Sequence, residues 1–345
     1  LPSFGGSSIG ENGYYIDGMD VTNLRTLVSF ANLPQDSIAQ TQVKSGGYGV
    51  EYGRALGGII NIVTKSGSND WEFGAAAYIR PQSLKATAKN TYDHNTDKIG
   101  TYRSDDEYST LNYNVFGGGP LIEDKLFFYT NIEGQRAEED NFSEHDSFNR
   151  VTTTPNYLAK LDWYVTENHL LRFTHINNET TYDVQNYETT AENEYKGIHD
   201  TKTTNYEYSD GGNINVLSYT GYITDDLTIN AMYGQLKHQY LKVPNLPGDD
   251  CVAAYDNYDG TWTPVGCWAK PQQFTIADQV DDEDERTSWK LDASWVLGDH
   301  TLKFGYNHEL YEATSPGRKY TGEIYYRYLV SDADINNNIV NGVAQ

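Results

Sequence analysis

The sequence predicts an all-β chain: a small α/β unit at the N-terminus that leads into the antiparallel strands of a transmembrane barrel. Three observations predict it. Runs after Trp71 alternate apolar and charged side chains. Their connections alternate long and short. No stretch approaches the roughly 20 apolar residues of a membrane helix, although the 345 residues hold 29 tyrosines and 31 glycines.

The elements follow in order. Gly13 to Ile16 reads as a strand, Asp17-Gly18 as a tight-turn dipeptide, and Met19 to Val21 as the return strand. The flanks of this hairpin, Gly5 to Asn12 and Thr22 to Ala31, therefore emerge together at the end opposite the turn. Two further runs, Ser37 to Val43 and Gly58 to Thr64, enclose a glycine-dense loop, Gly46-Gly47-Tyr48-Gly49-Val50-Glu51-Tyr52-Gly53-Arg54. Glycine at that density marks positive φ or close backbone approach. The nearly all-apolar run Gly58 to Thr64 reads as a strand buried on both faces.

Beyond Trp71 the period is two. Tyr157, Ala159, Leu161, Trp163 and Val165 share a face opposite Asn156, Lys160 and Asp162. Trp289, Leu291, Ala293 and Trp295 oppose Ser288, Lys290, Asp292 and Ser294, and Leu302, Phe304, Tyr306 and Leu310 oppose Lys303, Gly305, Asn307 and Glu309. Charge on the polar faces suits a wet lumen better than a dry core. Strands near Asn112 and Phe127 alternate less cleanly. Short connections fall at 121–124, 166–168, 224–226 and 298–299, and long ones near 81–107, 138–155, 181–212 and 242–285. That alternation describes up-and-down strands with turns at one rim and loops at the other. About ten strands are expected, and a barrel of that size has no room for a plug.

Composition narrows the function classes. A formal charge of −24 excludes a nucleic-acid footprint. A hydrophobic content of 38 % is low, but in a membrane barrel only alternate residues face lipid. There is no HExxH, GxSxG, P-loop or dinucleotide fingerprint, so no enzyme is predicted. Gly117-Gly118-Gly119-Pro120-Leu121 reads as a strand end and turn. Cys251 and Cys267 share one polar, Pro/Gly-rich segment and are expected to close a loop disulfide in an oxidising compartment. Asp281 to Glu285 is a carboxylate run at the base of a long loop. The stretches Asp256–Gly260 and Asp332–Asn337 carry oxygen ligands at alternate positions, faintly like a calcium loop without its downstream Glu; a solvated loop is the plainer reading. No cofactor is expected beyond that calcium option.

Val43-Lys44-Ser45-Gly46, Glu51-Tyr52-Gly53-Arg54 and Gly57-Gly58-Ile59-Ile60-Asn61-Ile62-Val63-Thr64-Lys65, with Tyr15-Ile16-Asp17-Gly18 upstream, resemble the end of the plug domain of TonB-dependent outer-membrane receptors. The wording EYGRALGG and TKSGSN, then Gly117-Gly118-Gly119-Pro120 with Asp124-Lys125-Leu126-Phe127-Phe128, is most similar to the Oar-like branch. The resemblance implies residues 1–69 as the C-terminal part of a plug and 70–345 as the N-terminal part of a barrel of about 22 strands. A half barrel with free edges does not sit in lipid, so the sequence is expected to stop inside its own barrel, as a fragment or a mature piece.

The resemblance further implies the outer membrane of a Gram-negative bacterium, contact with its lipid, and TonB as partner through an N-terminal box absent here. It implies an extracellular solute such as an iron chelate, vitamin, glycan or peptide, bound at plug apices and long loops. Carried onto this chain, the apices are Ser7 to Asn12 and Asn23 to Ser29, offering Ser7, Ser8, Glu11, Asn12, Asn23 and Arg25. Arg54 ends the glycine loop beside Tyr52, Leu56 and Ile59; it is expected to be buried where plug meets wall, against carboxylates, rather than exposed on a loop. Two alternatives stay open: a secreted β-sandwich that binds or cleaves glycans, for which no carboxylate pair is found, and a surface-adhesion barrel.

Overall fold

The computed structural model describes residues 3–4, 6–23, 25–28, 33–49, 51–53, 55–244, 253–256, 263–264, 282–314, 325–327, 339–340 and 343–344. Two β-sheets organise it. The inner sheet holds β1 (Gly13–Ile16), β2 (Met19–Asp20), β3 (Ile38–Lys44) and β4 (Ile59–Thr64) in the order β2-β1-β4-β3. Asp17 and Gly18 both adopt positive φ, 47° and 88°, as the tightest hairpin turn requires. The β1–β4 contact is parallel, Gly13 opposite Ile59 and Ile16 opposite Ile62, and nothing in the sequence announced it.

The second sheet is a curved wall. Its strands are β5 (Glu72–Arg80), β8 (Glu107–Ile122), β9 (Leu126–Phe142), β10 (Asp146–Thr166), β11 (His169–Asn177), β12 (Thr180–Glu188), β13 (Thr201–Thr224), β14 (Leu227–Pro244), β17 (Asp282–Leu297) and β18 (His300–Thr314). All neighbours in this sheet are antiparallel. β11 and β12 share one place between β10 and β13, so ten strands fill nine positions. The break between them is a bulge: the Asn178 N–H bonds to the Gly212 carbonyl at 3.0 Å, and Gly211 holds φ of 119°. Small hairpins and bridges complete the described residues: β6 (Thr91–Tyr92) with β7 (Ile99–Thr101), β15 (Ala253–Asp256) with β16 (Thr263–Pro264) and β19 (Tyr325–Arg327), and β20 (Ile339–Val340) with β21 (Val343–Ala344).

The wall is inverted relative to a soluble sheet. Its outer face exposes Leu161, Trp163, Trp289, Leu291, Leu302 and Phe304, while on the inner face Asn156, Lys160, Asp162 and Ser288 are each no more than 5 % exposed. On β10 and β17 the outward aromatics stand six residues apart, Tyr157 and Trp163, Trp289 and Trp295, as two girdles would. Polar inside and apolar outside excludes the soluble sandwich.

Two expected long connections are shorter than predicted. Residues 138–155 are not a loop: β9 runs to Phe142, β10 starts at Asp146, and only three residues turn between them. The 181–212 loop shrinks to residues 189–200. Above the girdles neither face meets lipid, so the period-two pattern fades while backbone pairing continues. The short turns expected from the sequence fall at 123–125, 167–168, 225–226 and 298–299, all at one rim, while the three-residue turn 143–145 lies at the opposite rim.

The inner sheet has no self-sufficient core. Its hairpin residues Tyr14, Ile16, Met19 and Val21 bury against Tyr129, Leu158, Ile176, Ile214, Val216 and Leu236 of the wall. Full burial of each aliphatic side chain contributes about 1.5–3 kcal/mol. This also explains the muddled pattern near Phe127: the inward face of β9 packs against the inner sheet, so it is apolar there.

Candidate functional site: the seam and the vestibule

Among the described residues the seam between inner sheet and wall carries three ionic ties. The lowest lies in the hairpin turn. Lys160 Nζ stands 3.3 Å from Asp17 Oδ2 and donates to the Thr64 carbonyl at 3.1 Å and Thr64 Oγ1 at 2.8 Å. Asp17 also accepts from the Thr64 N–H at 2.9 Å and from the Thr64 and Thr174 hydroxyls. Both charges are at most 4 % exposed, so each needs the other and every added hydrogen bond. The second tie is Arg286 on β17, 2.7 Å from Asp20 Oδ1 and bonded to the Asp20 and Thr22 carbonyls. Nearby, burial together with Asp20 pushes the Tyr15 phenol upward from its ordinary pKa.

The third tie is Arg25. Its guanidinium makes a two-pronged contact with Asp284 at 2.8 Å, reaches Asp282 at 2.5 Å, and lies 4.4 Å over the Tyr240 ring. Hydrogen bonds to Asp282 and then Asp284 raise its pKa further. Residues 282–285 of the carboxylate run are thus strand and not a solvated loop, and Asp281 lies outside the described residues. Period two sends Asp282 and Asp284 inward to Arg25, and Glu283 and Glu285 outward to Lys237.

The predicted apex residues come together at the rim opposite the short turns. Asn23 donates to the Tyr240 hydroxyl at 2.9 Å and accepts from the Arg25 and Thr26 N–H groups. Ser8 and Glu11 close a capping box around the short turn Ile9–Glu11. Ser7 bonds to the Phe4 carbonyl, and buried Asn12 accepts from the Gly58 N–H at 2.9 Å. Above them the inward faces of β10, β12, β13 and β14 present Arg150, Tyr182, Tyr206, Tyr208 and Tyr240, with the Tyr182 and Tyr208 rings stacked at 5.6 Å. Sequence reasoning missed this vestibule because it assigned 181–212 to a loop. The alternation of Tyr206 and Tyr208 was the available signal. Arg54, Cys251 and Cys267 lie outside the described residues, as do 257–260 and 332–337 of the calcium-like stretches. Among the described residues no three His, Cys, Asp or Glu side chains converge on a metal position.

No family model matches the chain. Over 130 residues it is 34 % identical to the TonB-dependent transporter Oar of Myxococcus xanthus, a match covering 37 % of this chain and 12 % of that one. Its fold superposes on the outer membrane transporter YddB of Escherichia coli with a TM-score of 0.56 at 13 % identity, covering 89 % of this chain and 41 % of that one. The fold is that of a TonB-dependent outer-membrane receptor. The chain spans less than half the length of either relative. The setting of this receptor fold is the outer membrane of a Gram-negative cell. In barrels of that membrane short turns face the periplasm, which puts the vestibule and the Arg25 tie on the outer side.

Proposed function

We propose that residues 1–69 form part of a plug and residues 70–345 part of a barrel wall in a transporter that binds an extracellular solute and admits it when the plug shifts. The observation that carries this reading is the shared core of plug hairpin and wall, pinned by the Asp17–Lys160 pair. A blocked pore held by breakable ties fits a gated importer. TonB, on which the Myxococcus xanthus relative depends, supplies the energy. The solute docks in the vestibule over Ser7, Ser8, Glu11, Asn12, Asn23 and Arg25. The stacked tyrosines suit the planar groups of an iron chelate, a vitamin, a glycan or a peptide, while Arg25 and Arg150 are already paired with Asp282, Asp284 and Glu139.

A reversible lock tests the reading. A Cβ added at Gly234 on β14 would stand 3.1 Å from Met19 Cγ on the plug, within disulfide reach. In full-length protein the Met19→Cys/Gly234→Cys pair should keep surface binding but lose uptake when oxidised, and regain it under dithiothreitol. The uptake panel is ferric chelates, cobalamin and oligosaccharides supplied to a strain lacking the gene. Undiminished uptake by the oxidised pair, with both single mutants as controls, would show that the plug need not move.

A further inference from the structure

Arg25 shows what kind of group the inner wall holds. Its guanidinium lies 4.4 Å over the Tyr240 ring and meets the Asp284 carboxylate at 2.8 Å. Ring and carboxylates come from neighbouring strands, with Tyr240 on β14 opposite Asp282 on β17. A planar cation is held there twice, by stacking on the ring and by a forked ion pair.

The same combination recurs on the other side of Tyr240. Asp210 on β13 stands opposite Tyr240, and Tyr208, two residues before it, stands opposite Tyr182 of β12. The Tyr182 and Tyr208 rings stack at 5.6 Å, and among the described residues no cation covers either. Asp210 Oδ1 lies 2.6 Å from His238 Nε2, whereas Oδ2 has no partner among the described residues and the side chain is 38 % exposed. The local field is negative. Glu139 occupies Arg150, and Asp282 and Asp284 occupy Arg25, so Asp210 is left with an imidazole and no permanent cation. Even with Lys242, opposite Tyr208 in register, the carboxylates Glu139, Asp210, Asp282 and Asp284 outnumber the cations. Burial first, and then Asp210, pushes the Tyr208 phenol up to about 12.

We propose that the vestibule takes an arginine side chain of a peptide solute, its guanidinium laid over the Tyr182–Tyr208 ring pair and bonded to Asp210. This rests on the vestibule being the solute site and narrows the class of solute. A guanidinium is weakly hydrated, planar and forked, so it gains from a ring face and a carboxylate at once. An ammonium is a compact point charge and gains less from the rings. An anionic chelate would face Asp210 and the carboxylates around Arg25 with no cation free to meet it. A free amino acid would bring its own carboxylate to the same acidic wall, whereas a peptide does not. Val184 and Tyr206, opposite one another in the next inward row, extend the floor under a peptide backbone.

The test uses full-length protein in detergent and isothermal titration calorimetry. The probes are acetylated, amidated hexapeptides alternating glycine with arginine, with citrulline or with glutamate; citrulline keeps the shape of arginine without its charge. Wild type should bind the arginine peptide about tenfold more tightly than the citrulline peptide, a difference of about 1.4 kcal/mol, and should not bind the glutamate peptide. Asp210→Asn should erase that preference. Tyr208→Ala should weaken the arginine peptide about tenfold, while Tyr208→Phe, which keeps the ring, should hold it as wild type does. Equal binding of the arginine and citrulline peptides by wild type, or an unchanged preference in Asp210→Asn, would overturn the guanidinium site. Agmatine, the same group on a small amine, binding as tightly as the peptide would overturn the peptide assignment. Binding is read here without uptake. A negative result therefore leaves the disulfide-lock experiment standing, and uptake that ignores the lock leaves this affinity standing.

Discussion

Lys160 shows what one residue can and cannot announce. Its alternation with Tyr157, Leu161 and Trp163 placed it on the inner face, and there it stands, 1 % exposed. Its partner Asp17 is 143 positions away, a distance that no local pattern spans. The sequence pointed also to Arg54 as a cation joining plug to wall, on the strength of apolar neighbours; that residue lies outside the described residues. Among the described residues Lys160, Arg286 and Arg25 do that work. The apex position of Arg25 was legible in the sequence; its partners Asp282 and Asp284, more than 250 residues on, were not. Removing one partner of a fully buried pair costs about 3–5 kcal/mol, because the other charge is stranded. Lys160→Ala should therefore let the plug leave the wall at clearly lower urea, whereas Lys160→Met combined with Asp17→Asn should lose less than the two single changes added together. Additive losses in that cycle would mean the pair is not coupled.

Among the elements, the strands that cross lipid were legible and their extensions were not. In β10 the stretch Tyr157 to Val165 sits between apolar lipid and polar lumen, so its period two is sharp. In the same strand Asp146 to Asn156 projects past the girdle, where both faces are wet or packed on protein, and the sequence there reads as loop. The plug hairpin was legible because Asp17-Gly18 specifies its turn locally; the parallel β1–β4 contact was not, since it joins segments 46 residues apart. The rim assignment gives a test at this scale. An epitope inserted after Asp225, in a short turn, should stay hidden from antibody on intact cells, and one after Glu144, at the tip of the β9–β10 hairpin, should be labelled. The opposite labelling would turn the wall upside down.

For the molecule as a whole the central claim is an inverted body: charge and amide inside, apolar surface outside, and a four-stranded plug sheet filling the lumen side. The plug borrows its core from the wall, with Met19 fully buried and Ile16 nearly so against wall strands. A soluble sandwich of the same alternating strands would bury Leu161, Leu291 and Phe304 and expose Asp162 and Ser288. Spin labels on single cysteines in full-length protein, reconstituted in outer-membrane vesicles, separate the two most directly. The account predicts that labels at Leu161, Leu291 and Phe304 are open to oxygen and closed to a water-soluble nickel chelate, while labels at Asp162 and Ser288 are closed to oxygen. Chelate access at Leu161 and Leu291, with oxygen access at Ser288, would contradict it.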